Sequence, residues 1–292
     1  MCELDDESID HVVTSPPYLN QRQFQPISDG SVYELGQEET VEEYVNNLLK
    51  VIEECRRVMR PTGSLMLNMG DTYHKASKMQ VPERLSIAIQ DRLGLKLRNT
   101  LIWAKGSSMS PESTKRRRHT DFEYCYHFVK DADRCFYNAD AIRIEYETNQ
   151  ATDRRPPRHY NHEISKGVNA RWVNRNVGGK LTEPVTVSNI SSSVRHPIGK
   201  IPGCILEISR HTTPLEMEGE VEHTAAFPDR LVRELLKPIA QPGDIVLDPF
   251  GGSHTTGAVA LEYGCFYVGY DTNPAFNRIG AKRLSNIKES AA

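Results

Sequence analysis

Long apolar runs are missing from this chain. Nowhere in its 292 residues do roughly 18 apolar residues follow one another, the length that a membrane-spanning helix requires. The opening stretch, MCELDDESID, is acidic and has neither the basic start nor the apolar core of a signal peptide. A cytoplasmic protein with no membrane partner is therefore expected. The six cysteines (Cys2, Cys55, Cys125, Cys135, Cys204 and Cys265) are scattered and form no C-x-x-C pair, so no zinc or other metal site is expected. Apolar neighbours, ILEI after Cys204 and FYVGY after Cys265, suit reduced, buried thiols. Neither G-x-G-x-x-G nor a Walker loop with its lysine occurs, which argues against a cradle for a nucleotide's phosphates.

What is present is enough for one large domain or two small ones: 38% hydrophobic residues and a net charge of −3. The charge is unevenly spread. Residues 151–200 hold nine basic side chains, Arg154, Arg155, Arg158, Lys166, Arg171, Arg175, Lys180, Arg195 and Lys200, against three acidic ones. Lys115, Arg116, Arg117 and Arg118 form a second cluster. Either stretch alone reads as a solvated surface. Together, on an otherwise acidic chain, they fit a face that binds a polyanion.

Hydrophobic periodicity divides the rest into strands and helices. IDHVVT (9–14) reads as a short buried strand halted by Pro16 and Pro17. Residues 20–38 are polar and irregular. TVEEYVNNLLKVIEECRRVM reads as a helix with a Thr40–Glu43 capping box, ended by Pro61 and Gly63. SLMLNMGD (64–71) is the next strand and 82–93 the next helix. Strands over 97–105 and 122–130 bracket the basic KRRRH loop. Residues 146–200 keep no period, being either disordered or an inserted recognition region that orders on a ligand. A short apolar stretch at 204–208 and a helix over 228–237 follow. DIVLD (244–248), a glycine turn, the helix GAVALEYG, a strand over 265–271 and a helix over 274–288 then form a βαβ pattern.

Two stretches carry chemistry. In TSPPY (14–18) a hydroxyl, two prolines and an aromatic ring stand at a strand end. In DPFGGSHTT (248–256), Asp248 ends a strand, Gly251 and Gly252 let a ligand approach the backbone, and Ser253, Thr255 and Thr256 open a helix. Asp271 lies about twenty residues on, where an acidic residue accepts hydrogen bonds from ribose hydroxyls. A ribose without phosphates to hold is favoured, and S-adenosylmethionine fits. The alternative is an ordinary βαβ turn with capped helix.

TSPPY followed far downstream by LDPFGGSHTTG resembles the S-adenosylmethionine-dependent DNA amino-methyltransferases, in the group where the tetrapeptide precedes the cofactor segment, as in type II restriction–modification systems. ECRRVMRPTGSLMLNMGD, IWAK, YHFVKDADRCFYNADAIR and HTAAFPDRLVRELLKPIAQPGD extend the likeness to most of the chain outside 146–200. The resemblance implies a Rossmann-like class I methyltransferase fold: an α/β, mostly parallel sheet flanked by helices, with permuted motif order and an inserted target-recognition region. It implies a catalytic half over 1–145, target recognition over 146–200 and a cofactor half over 201–292. It implies double-stranded DNA as substrate, base flipping and direct methyl transfer to an exocyclic amine, with a cognate restriction endonuclease as a possible partner and a monomer or homodimer as the working form. Through it Pro249, Phe250, His223 and Phe227 join the expected cofactor site. Basic residues Lys115–Arg118, Arg154, Arg155, Arg171 and Arg175 are assigned to DNA; Trp172 is read as packing.

The chemistry gives each residue of SPPY a role. The amine lone pair is delocalised into the base, so acceptors aimed at its N–H groups help localise it. Ser15 Oγ and the Pro16 carbonyl supply acceptors, Pro17 stiffens the turn, and Tyr18 offers a face for the extruded base. Asp71 is either the proton acceptor or a cap on the turn after its strand, and Asn68 a supporting residue. No Pro-Cys dipeptide occurs, which excludes the cysteine nucleophile of ring-carbon methylation. SPPY resembles the N4-cytosine enzymes, whereas an acid before PPY is typical of N6-adenine ones. Cytosine N4 is the expected target, adenine N6 the alternative, and a non-catalytic cofactor-binding DNA protein the third reading. His254 stands where the family often has glycine and is read as a tolerated first-turn residue rather than a catalytic one.

Overall fold

The computed structural model describes residues 1–20, 35–106, 117–146, 196–210 and 228–291. These divide into two compact units, Met1–Ile142 with Gly203–Ala292, and Arg143–Pro202. In the second, Ile144 and Lys200 exchange backbone hydrogen bonds, 2.9 Å each way. Gly199 permits this at φ +126°, since a Cβ there would meet the Ile144 carbonyl at 2.1 Å.

The first unit is built on a seven-stranded sheet. Its strands are β1 (Ile9–Thr14), β2 (Met59–Met69), β5 (Lys96–Ala104), β6 (Phe122–Val129), β7 (Ile205–Glu207), β8 (Ile245–Asp248) and β9 (Phe266–Gly269). The order is β7-β5-β6-β2-β1-β8-β9. Every pairing is parallel except those of β6, which runs against both β2 and β5. The first β-strand therefore lies between its sequence neighbour β2 and the distant β8, a topological switch point where the carboxyl ends of parallel strands open a crevice. A two-stranded ribbon, β3 (Tyr73–His74) and β4 (Ser77–Lys78), stands apart and has no counterpart in the sequence reading.

Helices cover both faces because the strands alternate inward residues between them. Helices α1 (Val41–Val58) and α2 (Val81–Leu93) bury Tyr44, Leu48, Ile52, Leu85 and Ile89 against Val12, Leu65, Leu67, Tyr126 and Phe128. On the other face α3 (Asp229–Leu236) and α4 (Thr255–Glu262) bury Leu231, Leu235 and Val259 against Val13, Met66, Cys125 and Val246. The last helix is α5 (Pro274–Ala291). Among the described residues no helix is long and apolar enough to cross a membrane.

Local signals act largely as expected. Thr40 accepts the Glu43 amide at 3.1 Å and caps α1. The end of that helix differs: α1 stops at Val58, and Pro61–Gly63 lie inside β2 rather than before it. The β1–β2 register jumps from Ile9↔Met59 to His11↔Ser64, so these residues form a bulge. A Cβ on Gly63 would lie 2.2 Å from the Asp10 carbonyl, which makes the close approach of the two strands depend on glycine. Cys55, Cys125 and Cys265 are buried thiols as expected, but Cys204 is exposed, because it precedes the edge strand β7.

A buried polar pair joins β2 and β6. His127 is buried, with Nε2 2.9 Å from Ser64 Oγ. Burial, then Arg98 and His11, hold its imidazole down at about 4 against an ordinary 6.5. The folded state thus refuses a proton that the unfolded chain accepts, so stability falls as pH drops from about 6.5 toward 4. That gap corresponds to about 3 kcal/mol at the acid end. Replacing His127 by Gln should flatten the stability curve across this window while leaving its alkaline side unchanged, as followed by urea unfolding at stepped pH.

Candidate active site at the switch point

All the strand-end residues singled out in the sequence gather at the carboxyl edge of the sheet, at the ends of β1, β2, β8 and β9. The frame is set by Asp248. Its carboxylate is buried. One oxygen accepts the Thr14 hydroxyl at 2.6 Å and the Phe250 amide at 3.1 Å; the other accepts the Thr256 hydroxyl at 2.7 Å. Burial pushes its pKa up, and these three donors oppose that shift. Asp248 thereby fastens the end of β1, the turn after β8 and the first turn of α4 to one another.

On the β1 side, Ser15 is half-buried and Pro16 buried. The Pro17 carbonyl accepts the Tyr44 hydroxyl at 2.7 Å, which ties the prolines to α1. Tyr18 runs over Gly70, where a Cβ would lie 2.6 Å from its ring. Its hydroxyl donates to Glu123 Oε2 at 2.7 Å, lies 3.2 Å from Ser15 Oγ and accepts the Asn68 amide at 2.8 Å. Asn68 also donates to Glu123 Oε2 at 2.8 Å and to Ser15 Oγ at 3.3 Å. Its own carbonyl accepts the Cys125 thiol at 3.1 Å, which fixes the amide's orientation. Burial and the adjacent Glu123 charge keep the Tyr18 phenol protonated.

Glu123 is a site residue that sequence reasoning missed. Strand β6 is antiparallel, so it begins at the edge where its neighbours end, and its second residue enters the cluster. Lys105, one residue beyond β5, pairs with the other Glu123 oxygen and lies 5.0 Å over the Trp103 ring. The available signal was a lone acid between aromatics in FEYCYHFVK, on the same alternation as the buried Cys125 and His127.

Asp71 is occupied differently. Its oxygens accept the amides of Thr72, Gln80 and Val81 at 2.8, 3.1 and 3.0 Å and pair with Lys78 at 3.3 Å. Those contacts cap the loop over β3 and β4 and the start of α2, the second of the two roles weighed for it.

On the β8 side, Gly252 takes φ +50° and donates its amide to Asp271 Oδ2 at 2.9 Å; Asp271 Oδ1 accepts the Asn273 amide at 2.8 Å. The acid at the end of β9 thus faces the glycine turn, alongside Pro249, Phe250 and Gly251. Ser253 and Thr255 are buried, their oxygens 3.4 Å apart. Arg283 of α5 donates to Thr255 Oγ1 at 3.1 Å and to both Asp229 oxygens at 3.1 and 3.2 Å, a brace not foreseen from sequence.

His254 is not in the first turn. It is the residue before α4, in the left-handed region at φ 54°. Its imidazole is buried, 3.0 Å from the Tyr267 hydroxyl and 3.3 Å from Asn277 Oδ1. It fills space left by Gly251, Gly269 and Gly280.

Of the basic residues, Arg117 and Arg118 are exposed, and the Arg117 guanidinium stacks 3.8 Å over Tyr73. Lys115, Arg116, Arg154, Arg155, Arg171, Arg175, Trp172, His223 and Phe227 lie outside the described residues.

Known proteins resemble this chain in sequence and in fold. A profile described as DNA methylase, N6_N4_Mtase, matches residues 9–282. The type II methyltransferase M.SfiI of Streptomyces fimbriatus is 27% identical over 94% of this chain and 86% of its own. The DNA adenine methyltransferase YhdJ of Escherichia coli (strain K12) is 27% identical over 95% and 76%. Among solved structures, the cytosine-N4-specific PvuII DNA methyltransferase superposes with a TM-score of 0.64 at 22% identity, covering 98% of this chain and 86% of that one. This likeness shows the fold.

The His254 contacts make one test direct. A Cβ on Gly280 would lie 1.8 Å from His254 Cδ2. Gly280→Ala should therefore destabilise by about 1–3 kcal/mol. Adding His254→Gly, which vacates the space, should recover much of that loss in a double-mutant cycle read by thermal unfolding.

Proposed function

Because this chain belongs to the DNA methylase family N6_N4_Mtase, we propose that it transfers a methyl group from S-adenosylmethionine to the exocyclic N4 amine of a cytosine flipped out of double-stranded DNA. The observation that carries the choice of base is Ser15 at the head of the tetrapeptide, where the family's adenine members typically have an acid. A second reading, methylation of adenine N6, is favoured by the likeness to a relative named as an adenine methyltransferase. A role as the protective half of a restriction–modification pair follows from the type II relatives.

The chain's own residues fit the cofactor. The Asp271 carboxylate stands at the end of a parallel strand, suited to ribose hydroxyls, beside a glycine turn with no lysine to meet phosphates. Gly251, Gly252, Phe250 and Pro249 shape that turn, and Asp248, Ser253, Thr255 and Thr256 hold it to the sheet. When bound, S-adenosylmethionine supplies a methyl group already made electrophilic by its sulfonium. The protein's task is then to position the amine and localise its lone pair. Ser15 Oγ accepts one amine N–H and the Pro16 carbonyl the other. The exposed Arg117 and Arg118, with residues 146–200, are assigned to DNA: lysine and arginine to phosphates, arginine and asparagine to base edges.

Mass spectrometry of nucleosides from DNA treated with the protein should reveal N4-methylcytosine; N6-methyladenine alone would overturn the choice of base. Replacing Ser15 by Ala should lower the methyl-transfer rate by about 10²-fold and leave cofactor affinity nearly intact. Asp271→Ala should act in the opposite sense, weakening cofactor binding about tenfold in a calorimetric titration, since charge-assisted hydrogen bonds are lost.

A further inference from the structure

The hydrogen bonds around Tyr18 have a direction, and Glu123 sets it. The phenol hydrogen is committed to Glu123 Oε2, 2.7 Å away. The phenol oxygen is then an acceptor. It takes the Asn68 amide at 2.8 Å, and the Ser15 hydroxyl, 3.2 Å away, completes its donors. Ser15 therefore points its hydrogen into the protein and keeps a lone pair for an incoming N–H. Asn68 cannot reverse this order, because its carbonyl is held by the Cys125 thiol and its amide faces the three oxygens. Lys105 pairs with the other Glu123 oxygen, at the far end of the chain.

We propose that Ser15, Tyr18 and Glu123 form a proton relay that carries the proton released by the methylated amine to the Glu123 carboxylate. The relay rests on the reading of the chain as a methylase of an exocyclic amine. Methyl transfer would form the nitrogen–carbon bond as the carbon–sulfur bond of the sulfonium breaks, its electron pair passing to sulfur; the nitrogen becomes positively charged and its N–H bond breaks toward Ser15 Oγ. The serine's own proton passes to Tyr18 Oη, and the tyrosine's proton passes to Glu123 Oε2. Each hydroxyl gains one proton and loses one. The amine ends neutral, and Glu123 ends as a carboxylic acid. No oxidant, metal or further reactant is needed. The relay also frees Asp71 from the proton-accepting role, in keeping with the three backbone amides and the lysine that its oxygens already hold. Glu123 touches no substrate and acts through Tyr18 and Ser15.

The test uses the whole protein in single-turnover methyl transfer, in light and heavy water. The proteins are wild type, Tyr18→Phe, Glu123→Gln and the double variant. Tyr18→Phe keeps the ring and the Lys105–Glu123 pair while cutting the relay, so it carries the test by itself if Glu123→Gln does not fold. Each single variant should slow transfer by about 10²-fold and abolish a normal solvent isotope effect present in wild type. The double variant should be no slower than either single one, because the groups act as a unit. Cofactor affinity by calorimetry, and extrusion of the target read by 2-aminopurine fluorescence, should stay within about twofold in the Phe variant. Wild-type speed in Tyr18→Phe, an unaltered isotope effect, or multiplied losses in the double variant would each overturn the relay. A wild-type protein that moves no methyl group to DNA would overturn the functional reading itself, an outcome that the variants do not produce.

Discussion

The structure turns on a single buried carboxylate. Asp248 lies 234 positions from Thr14 in sequence and 2.6 Å from it in space. A charge in that position would be costly alone, yet it receives hydroxyl hydrogens from Thr14 and Thr256 and an amide hydrogen from Phe250. Its oxygens are thus used on the frame that positions the groups around it. Because β1 and β8 meet through it, the two halves of the site cannot move apart without leaving a buried charge unsatisfied.

From that constraint the division of labour follows. The prolines of SPPY are anchored by Tyr44 on one side of the sheet, and the glycine turn by Arg283 and Asp229 on the other. Glycine is used where side chains must cross: Gly70 under the Tyr18 ring, Gly280 beside His254. Tyr18 was expected to be a stacking face. In the structure its hydroxyl is as engaged as its ring, and that engagement draws Asn68, Glu123 and Lys105 into the cluster.

Elements were legible in the sequence where local signals are strong. IDHVVT, read as a strand over 9–14, is Ile9–Thr14 in the structure, and Thr40 caps the start of α1 by accepting the Glu43 amide. Reading failed where tertiary contacts decide. Pro61–Gly63 look like a helix stop and prove to be a bulge, because β1 draws Met59 into register. His254 looks like a tolerated first-turn residue and proves to be a buried wedge, because three glycines far apart in sequence leave room for it.

By itself the sequence determined the α/β class and the place of both motifs at strand ends, since these depend on periodicity, proline and glycine, and residue type within a few positions. Only the tertiary structure decided which carboxylate joins the Ser15–Tyr18 cluster. Asp71 and Glu123 are both carboxylates, and both stand near strand ends. The antiparallel direction of β6 brings Glu123 to the edge where Tyr18 sits, while the loop after β2 turns Asp71 onto the start of α2. Strand direction is set by pairing over long separations, and no local pattern in the chain encodes it.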